Sequence, residues 1–187
     1  MVSKLLETIK CLDGEVYHLP YHQERVTRSR KTLGFETSLT LEITPPKKGF
    51  FRCRVMYEEK VEKIEFLPYT IKEIKSFKLV YSNLEYGLKY EDRTALNNLL
   101  DENVDEIIII NNGLVTDTSI ANICFYDGEA WLTPKTPLLK GTTRQRLLDE
   151  NKIKEADIHV DEIKNYKKLA LMNAMVDFKI IENAIIA

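Results

Sequence analysis

Long apolar runs are missing from this 187-residue chain, and none comes near the roughly 20 residues that a membrane helix requires. A dominant charge is missing too. Lys and Arg number 27 against 29 Asp and Glu, so no global field draws the protein to nucleic acid or to a membrane surface. The opening Met1-Val2-Ser3-Lys4 lacks the apolar core of a signal peptide, which leaves the cytoplasm as the expected compartment. Cysteine is scarce: Cys11, Cys53 and Cys124 are an odd number without metal-ligand spacing. Each sits in a strand-like run, so buried reduced thiols are expected and no metal is. Internal repeats and low-complexity segments are absent as well. What remains, 44% hydrophobic and 30% charged residues, is ordinary for a soluble globular protein of one large or two small domains.

Periodicity supplies the organisation. Lys4 to Lys10 alternates weakly and Asp13-Gly14 is a turn signal before Val16 and Tyr17, which predicts a β-hairpin. Pro20 sits where a helix's first turn tolerates it, and Gly34 where a helix ends, so a basic amphipathic helix is predicted between them. His22, Arg25 and Ser29 share one face of it; read alone, a solvated cationic face is the commoner reason for such a pattern. Phe50 to Tyr57 and Val61 to Leu67 form a second predicted hairpin, with Arg52 and Arg54 on one side and Cys53 and Val55 on the other. Two arginines so placed could grip a carboxylate or form the wet face of a sheet.

Phe77 to Tyr81 is a further strand, and Ser82 to Gly87 is the best linker. Leu88 opens a predicted helix reaching about Glu102, with Leu96, Leu99 and Leu100 as its buried stripe. Lys89 stands at the junction, where a lone lysine is ordinarily a solvated surface group. Val104 to Ile110 reads as a nearly continuous apolar strand. After an Asn-Asn-Gly turn, the stretch Gly113 to Asn122 carries one carboxylate, Asp117, followed by small polar residues. Such a carboxylate suits a ligand's ring nitrogen, although a turn cap is the commoner role for an isolated Asp. Asn122 to Tyr126 and Ala130 to Thr133 flank Asp127-Gly128 as another hairpin. Gly141-Thr142-Thr143-Arg144 then leads into a helix to roughly Glu150. Glycine and threonines at a helix start suit a phosphate, and an ordinary capped helix is the commoner alternative. The rest reads as a strand near Ile158, a short helix from Asp161, a strand Leu169 to Met172 and a last strand near Ile180.

Taken together, these segments resemble the class IV (fold type IV) pyridoxal-phosphate enzymes, which include branched-chain and D-amino-acid aminotransferases and aminodeoxychorismate lyase. The correspondence covers nearly the whole chain and keeps its order. Glu7-Thr8 resembles the family's Phe-Glu-Thr; His22-x-x-Arg25 with Ser29 resembles its His-x-x-Arg helix; Gly87-Leu88-Lys89 resembles the segment of its Schiff-base lysine. Gly113-x-Val-Thr-Asp117-x-x-x-Ala-Asn122 is similar to Gly-x-Val-Thr-Glu-x-x-x-x-Asn, and Thr133-Pro134 with Leu139-x-Gly141-x-Thr143-Arg144 to Thr-Pro and Leu-x-Gly-Ile-Thr-Arg. The resemblance implies an α+β (mixed α/β) fold: a small N-terminal α/β domain over residues 1–83 and a larger, mixed, barrel-like domain over 84–187 that carries the lysine. The cofactor, pyridoxal 5'-phosphate, would lie between them, and the assembly would be a homodimer.

Roles follow residue by residue. Lys89 would bond the cofactor covalently and then move protons, and Asp117 would partner the pyridine nitrogen. Arg25, Thr142, Thr143 and the Asn173-Ala174 turn would cradle the phosphate, with Ser119 and Asn122 also at the cofactor. Arg52, Arg54 and Arg93 are candidates for a substrate carboxylate. Gly87-Leu88-Lys89-x-x-Asp92-Arg93 and Leu171-Met172-Asn173-Ala174 are closer to the lyase than to the aminotransferases. The resemblance therefore implies conversion of 4-amino-4-deoxychorismate to 4-aminobenzoate and pyruvate for folate synthesis. The alternatives are an aminotransferase acting on branched-chain or D-amino acids, and a truncated relative that binds the cofactor without turnover. Three departures bear on specificity. Asp117 stands where the family has the longer glutamate, the N-terminal domain is compact, and the family's leading strands have no counterpart ahead of Glu7.

Overall fold

The computed structural model describes residues 4–186; Met1-Val2-Ser3, read above for targeting, lie outside the described residues. The chain divides into two compact units, Met1–Ile71 with Leu88–Asp92, and Lys72–Gly87 with Arg93–Ala187.

In the first unit, strands β1 (Leu5–Leu12) and β2 (Glu15–Val16) form the expected hairpin. Asp13 and Gly14 both adopt positive φ, the geometry of the tight turn that matches strand twist. Helix α1 (Leu19–Thr32) follows, with Pro20 in its first turn. It ends where Gly34 takes φ +84 and the Phe35 N–H reaches the Arg30 carbonyl at 3.0 Å, a glycine-dependent helix stop. Strands β3 (Phe50–Tyr57) and β4 (Val61–Pro68) complete an antiparallel sheet of order β2-β1-β3-β4. Alternation sends Leu5, Ile9, Cys11, Cys53, Val55 and Tyr57 to one face, where they bury Val26 of α1. Glu7 belongs to that same face by register, opposite Val55.

Residues 88–92 join this unit because their backbone extends the β1 edge. The Leu6 N–H donates to the Lys89 carbonyl, and the Glu91 N–H to the Lys4 carbonyl, both at 2.8 Å. The long helix expected from Leu88 to Glu102 is therefore corrected. Helix α2 spans only Thr94–Asn97, Leu96 alone of the proposed stripe is buried, and Leu100 is 50% exposed. Pairing with a strand removes the start of that helix, and the remainder is too short to repay its nucleation.

The second unit holds β5 (Ser76–Tyr81), β6 (Glu106–Asn111), β7 (Leu114–Thr118), β8 (Asn122–Tyr126), β9 (Trp131–Pro134), α3 (Thr142–Asp149), β10 (Lys154–Ala156), β11 (Lys168–Asn173), β12 (Asp177–Ile181) and β13 (Ile185–Ile186). A 3-10 helix, Val160–Asn165, precedes β11. The strands form two sheets, β13-β5-β6-β7 and β10-β9-β8-β11-β12. Ile108, Ile110 and Val115 of one meet Ile123, Phe125, Leu169 and Leu171 of the other in a shared core. The alternate residues of the second sheet, Cys124, Ala170 and Met172, bury Leu147 of α3. The barrel-like domain expected from the resemblance thus takes the form of two open sheets facing each other. Among the described residues the two sheets do not close into one continuous barrel, although Leu114 of β7 bridges His159 and the Val115 N–H donates to the Ile158 carbonyl at 2.8 Å. Asn112 and Gly113, both at positive φ, turn β6 into β7, and Ser119 to Ala121 carry the chain from β7 in one sheet to β8 in the other.

Cys11, Cys53 and Cys124 are buried free thiols, as the strand-like runs around them suggest. No helix among the described residues is long and apolar enough to cross a membrane.

Candidate active site

The predicted cofactor residues fall among the described residues in one buried polar cluster in each unit. In the first, Glu7 projects from β1 into the core and meets the His22/Arg25/Ser29 face of α1. All four are buried, so that face is not the solvated one a bare reading of the helix favours. Glu7 Oε1 accepts the Arg25 Nε–H at 2.7 Å, and Oε2 accepts Arg25 Nη2–H at 2.5 Å and His22 Nδ1 at 2.6 Å. A charged planar fork against a carboxylate is the strong form of this interaction. Burial alone would raise the Glu7 carboxyl, but Arg25 and His22 overrule it and hold it at about 2. Burial pushes the His22 imidazole down, with Arg25 and Lys89 adding to that and Glu7 opposing it. Its Nδ1 therefore carries the proton of a neutral ring, donated to Glu7. The nearby Tyr57 hydroxyl is pushed up by burial first and by the Glu7 charge second. Lys89 is half-buried in this same unit, on the strand-like segment beside β1.

The second cluster centres on Asp117 near the end of β7. Its side chain is 4% exposed. Oδ1 accepts Asn122 Nδ2–H at 2.6 Å and Oδ2 accepts the Leu139 backbone N–H at 2.8 Å. Burial raises the carboxyl to about 7, against the pull of the Leu139 N–H, of Asn122 and of the Arg144 charge. Leu139 belongs to the loop that ends in Gly141, the residue preceding α3. That helix has no side-chain cap, and the N–H groups of its first turn, which no α-helix pairs internally, lie at the positive end of the dipole. Thr142 and Thr143 occupy the turn and are buried.

Around Asp117 the Ser119–Ala121 turn is gripped from three sides. Arg93 Nη2 donates to the Ser119 carbonyl at 2.8 Å, the Ser119 N–H donates to Glu106 Oε1 at 3.1 Å, and Asn173 Nδ2 donates to the Ile120 carbonyl at 3.2 Å. Asn173 Oδ1 accepts the N–H groups of Met175 and Val176, which shapes the turn that contains Ala174.

The structure thus gathers Arg25 and Lys89 in the first unit, and Asp117, Ser119, Asn122, Thr142, Thr143 and the Asn173-Ala174 turn in the second. The three arginines considered for a substrate carboxylate differ. Arg93 is engaged with Ser119, and Arg54 pairs with Glu65 at 3.2 Å on the sheet face. Arg52 lies over the Tyr69 ring at 5.8 Å, with its Nε unpartnered. Glu106 escaped the sequence reading. Its signal was available, an acid at the head of the Ile107 to Ile110 run, where burial demands a partner.

Comparison with known proteins places the chain in a family. The model of the amino-transferase class IV family matches residues 88–183. An uncharacterized protein of Haemophilus influenzae is 38% identical over 182 residues, spanning 91% of this chain and 97% of its own length. A candidate aminodeoxychorismate lyase of Schizosaccharomyces pombe is 27% identical over 199 residues, spanning 92% of this chain and 86% of its own. Among solved structures, that of a candidate 4-amino-4-deoxychorismate lyase from Haemophilus somnus is similar with a TM-score of 0.83 and 34% identity, over 94% of this chain and 97% of that one.

Proposed function

Since the chain belongs to the amino-transferase class IV family, we propose that it is a pyridoxal-phosphate-dependent 4-amino-4-deoxychorismate lyase. The observation that carries the cofactor reading is Asp117, a buried carboxyl raised to about 7 with a donor on each oxygen. A cation set against such a group fixes it as the anion, and a protonated pyridine nitrogen is a cation of that kind. The uncapped start of α3 supplies the complementary chemistry for a phosphate. In this reading Lys89, Arg25, Asp117, Thr142, Thr143 and the Asn173-Ala174 turn hold pyridoxal 5'-phosphate. The bound cofactor supplies an electron sink for the carbon that bears the substrate's amine.

The residues of the chain do the rest. Glu7, itself bonded to His22, fixes the Arg25 guanidinium in one orientation, which spares it a search among rotamers. Lys89 Nζ takes the proton from the ring carbon bearing the amine and returns it to the methylene carbon of the departing enolpyruvyl group. The ring becomes aromatic as the carbon–oxygen bond breaks, and 4-aminobenzoate and pyruvate leave with no oxidant or reductant consumed. Preference for the lyase rests on Gly87-Leu88-Lys89-x-x-Asp92-Arg93, on Asn173-Ala174, and on the 34% identity to the Haemophilus somnus protein.

The direct test is formation of 4-aminobenzoate from enzymatically generated aminodeoxychorismate; product no greater than that of a Lys89→Ala control overturns the lyase reading. The family model favours one second reading, an aminotransferase. A panel of branched-chain and D-amino acids that shifts the cofactor spectrum would establish it, and a silent panel would remove it. A colourless protein with no borohydride-sensitive visible band would count against both. We also infer a homodimer, as the resemblance implies, which sedimentation would check.

A further inference from the structure

We propose that Asn122 is a positioning residue, which holds the Asp117 carboxylate to the loop before α3 through one amide, and that Gly141 lacks a side chain to make room for that amide. Asn122 Nδ2 has two hydrogens and uses both. One goes to Asp117 Oδ1 at 2.6 Å and the other to the Leu139 carbonyl at 2.8 Å. The Leu139 N–H meanwhile goes to Asp117 Oδ2. The three groups close a ring in which the carboxylate is gripped from two sides, and both grips end on the same loop residue. Since the Leu139 carbonyl can only accept, the orientation of the Asn122 amide is fixed, and its other hydrogen must point at Asp117.

Gly141 lies against the same amide. Its φ of −69° and ψ of 150° lie in a region open to every residue, so the backbone does not require glycine there. Space does: a Cβ at this position would overlap Asn122 Oδ1 and stand 3.2 Å from its Cγ. Asn122 is 6% exposed and already tied at both hydrogens, so it has nowhere to retreat without releasing Asp117.

The consequence deepens the proposed function and rests on it in one respect only, that Asp117 partners the cofactor. Asn122 then does two jobs that neither local structure nor fold requires of it. It favours the charged form of Asp117, because a donor to the anion loses its bond when the carboxyl is neutral. It also sets the spacing between that carboxylate on β7 and the helix start at Gly141, the two places assigned to the ring nitrogen and to the phosphate.

The experiment uses the full chain, without added cofactor, labelled with 13C at aspartate side-chain carboxyls, with Asp117→Asn to assign the signal. Asn122→Ala, Gly141→Ala and the double variant are titrated and melted beside the wild type. Losing one hydrogen bond to a charged group should raise the Asp117 midpoint by about one pH unit or more. Gly141→Ala should do the same while leaving Asn122 chemically intact. The double variant should shift no further than either single, since the same amide is lost once. Gly141→Ala should lower the melting temperature in the wild-type background and leave it nearly unchanged in Asn122→Ala. An Asp117 midpoint unmoved in Asn122→Ala, or a Gly141→Ala destabilisation of the same size in both backgrounds, overturns the inference. Should Gly141→Ala alone fail to fold while the double variant folds, the clash is confirmed by the rescue. A parallel titration with pyridoxal 5'-phosphate, read by its visible band, separates the two readings. A wild type that takes up no cofactor refutes the proposed function, while the aspartate signals still decide the role of Asn122.

Discussion

Replacing Glu7 by glutamine removes one charge from the interior of the first unit and changes almost nothing in volume. Wild-type Glu7 is wholly buried and serves three donors, two on Arg25 and one on His22. Glutamine keeps one oxygen for them and sets an amide against the guanidinium. The wild-type Glu7 carboxyl is held at about 2 rather than 4.5, which corresponds to about 3 kcal/mol of stability at neutral pH. Breaking a buried pair by removing one partner typically costs about 3–5 kcal/mol, so the two routes agree. In a chain of this size the loss should lower the melting temperature by about 10 °C. The sign of the pH dependence is fixed by the same shift. A depressed folded pKa contributes stability that is present above 4.5 and is lost as pH falls through about 2. The gap between wild type and Glu7→Gln should therefore be full at pH 7 and should close on acidification through that window. Urea unfolding followed by circular dichroism, repeated across pH, measures both quantities. A variant within about 1 kcal/mol of wild type at pH 7, the worth of an exposed pair, would refute the reasoning, as would a gap independent of pH. Replacing both partners, Glu7→Leu with Arg25→Met, should destabilise less than losing either alone, because no buried charge is then stranded.

The remaining expectations concern the second unit and the surface. Lys89→Ala should lose product formation and the borohydride-sensitive band together, read by product assay and absorbance. Asp117 has a folded pKa raised from 3.8 to about 7, so its contribution is fully present below 3.8 and is lost as pH rises through about 7. The stability advantage of wild type over Asp117→Asn should accordingly shrink between pH 4 and pH 8 without cofactor, and calorimetry at those pH values would show it; a constant or growing advantage would contradict the assigned burial. Arg54→Ala breaks a part-exposed pair with Glu65 and should change stability by less than about 1 kcal/mol in urea unfolding.

How much of this was legible in the chain differs from element to element, and the differences have physical causes. The hairpins were, because Asp13-Gly14, Asn112-Gly113 and the alternation around them are local signals for local geometry. Helix α1 was as well, bracketed by Pro20 and Gly34. The segment from Leu88 onward was not. Leu96, Leu99 and Leu100 have helical spacing, yet the Lys89 carbonyl accepts from Leu6 and the Glu91 N–H donates to Lys4, more than eighty positions away in sequence. No local propensity reports a partner that distant, and a non-local ladder overrides a short helix that lacks a nucleus.

The site divides along the same line. Alternation in β1 places Glu7 on the face of Leu5, Ile9 and Cys11. A carboxylate on a core face requires a cation, so His22 and Arg25, spaced to share a helix face, could have been matched to it from sequence. Asp117 was legible as a residue but not as an environment. One of its two donors is the backbone N–H of Leu139, and a main-chain donor leaves no mark in an amino-acid sequence. The other donor is Asn122, read there as a cofactor contact and seen in the structure binding Asp117 and Leu139. That changes what the shorter carboxylate at position 117 means. An aspartate has less reach than the family's glutamate, so its effect depends more on where the strand and its holders set it. Here those holders are one amide and one backbone N–H, both anchored to the loop that ends at Gly141. The length of the side chain and the identity of residue 141 are then a single structural choice. A glutamate introduced at position 117 would crowd the ring that Asn122 closes, and it should be tolerated better in the Asn122→Ala background than in the wild type.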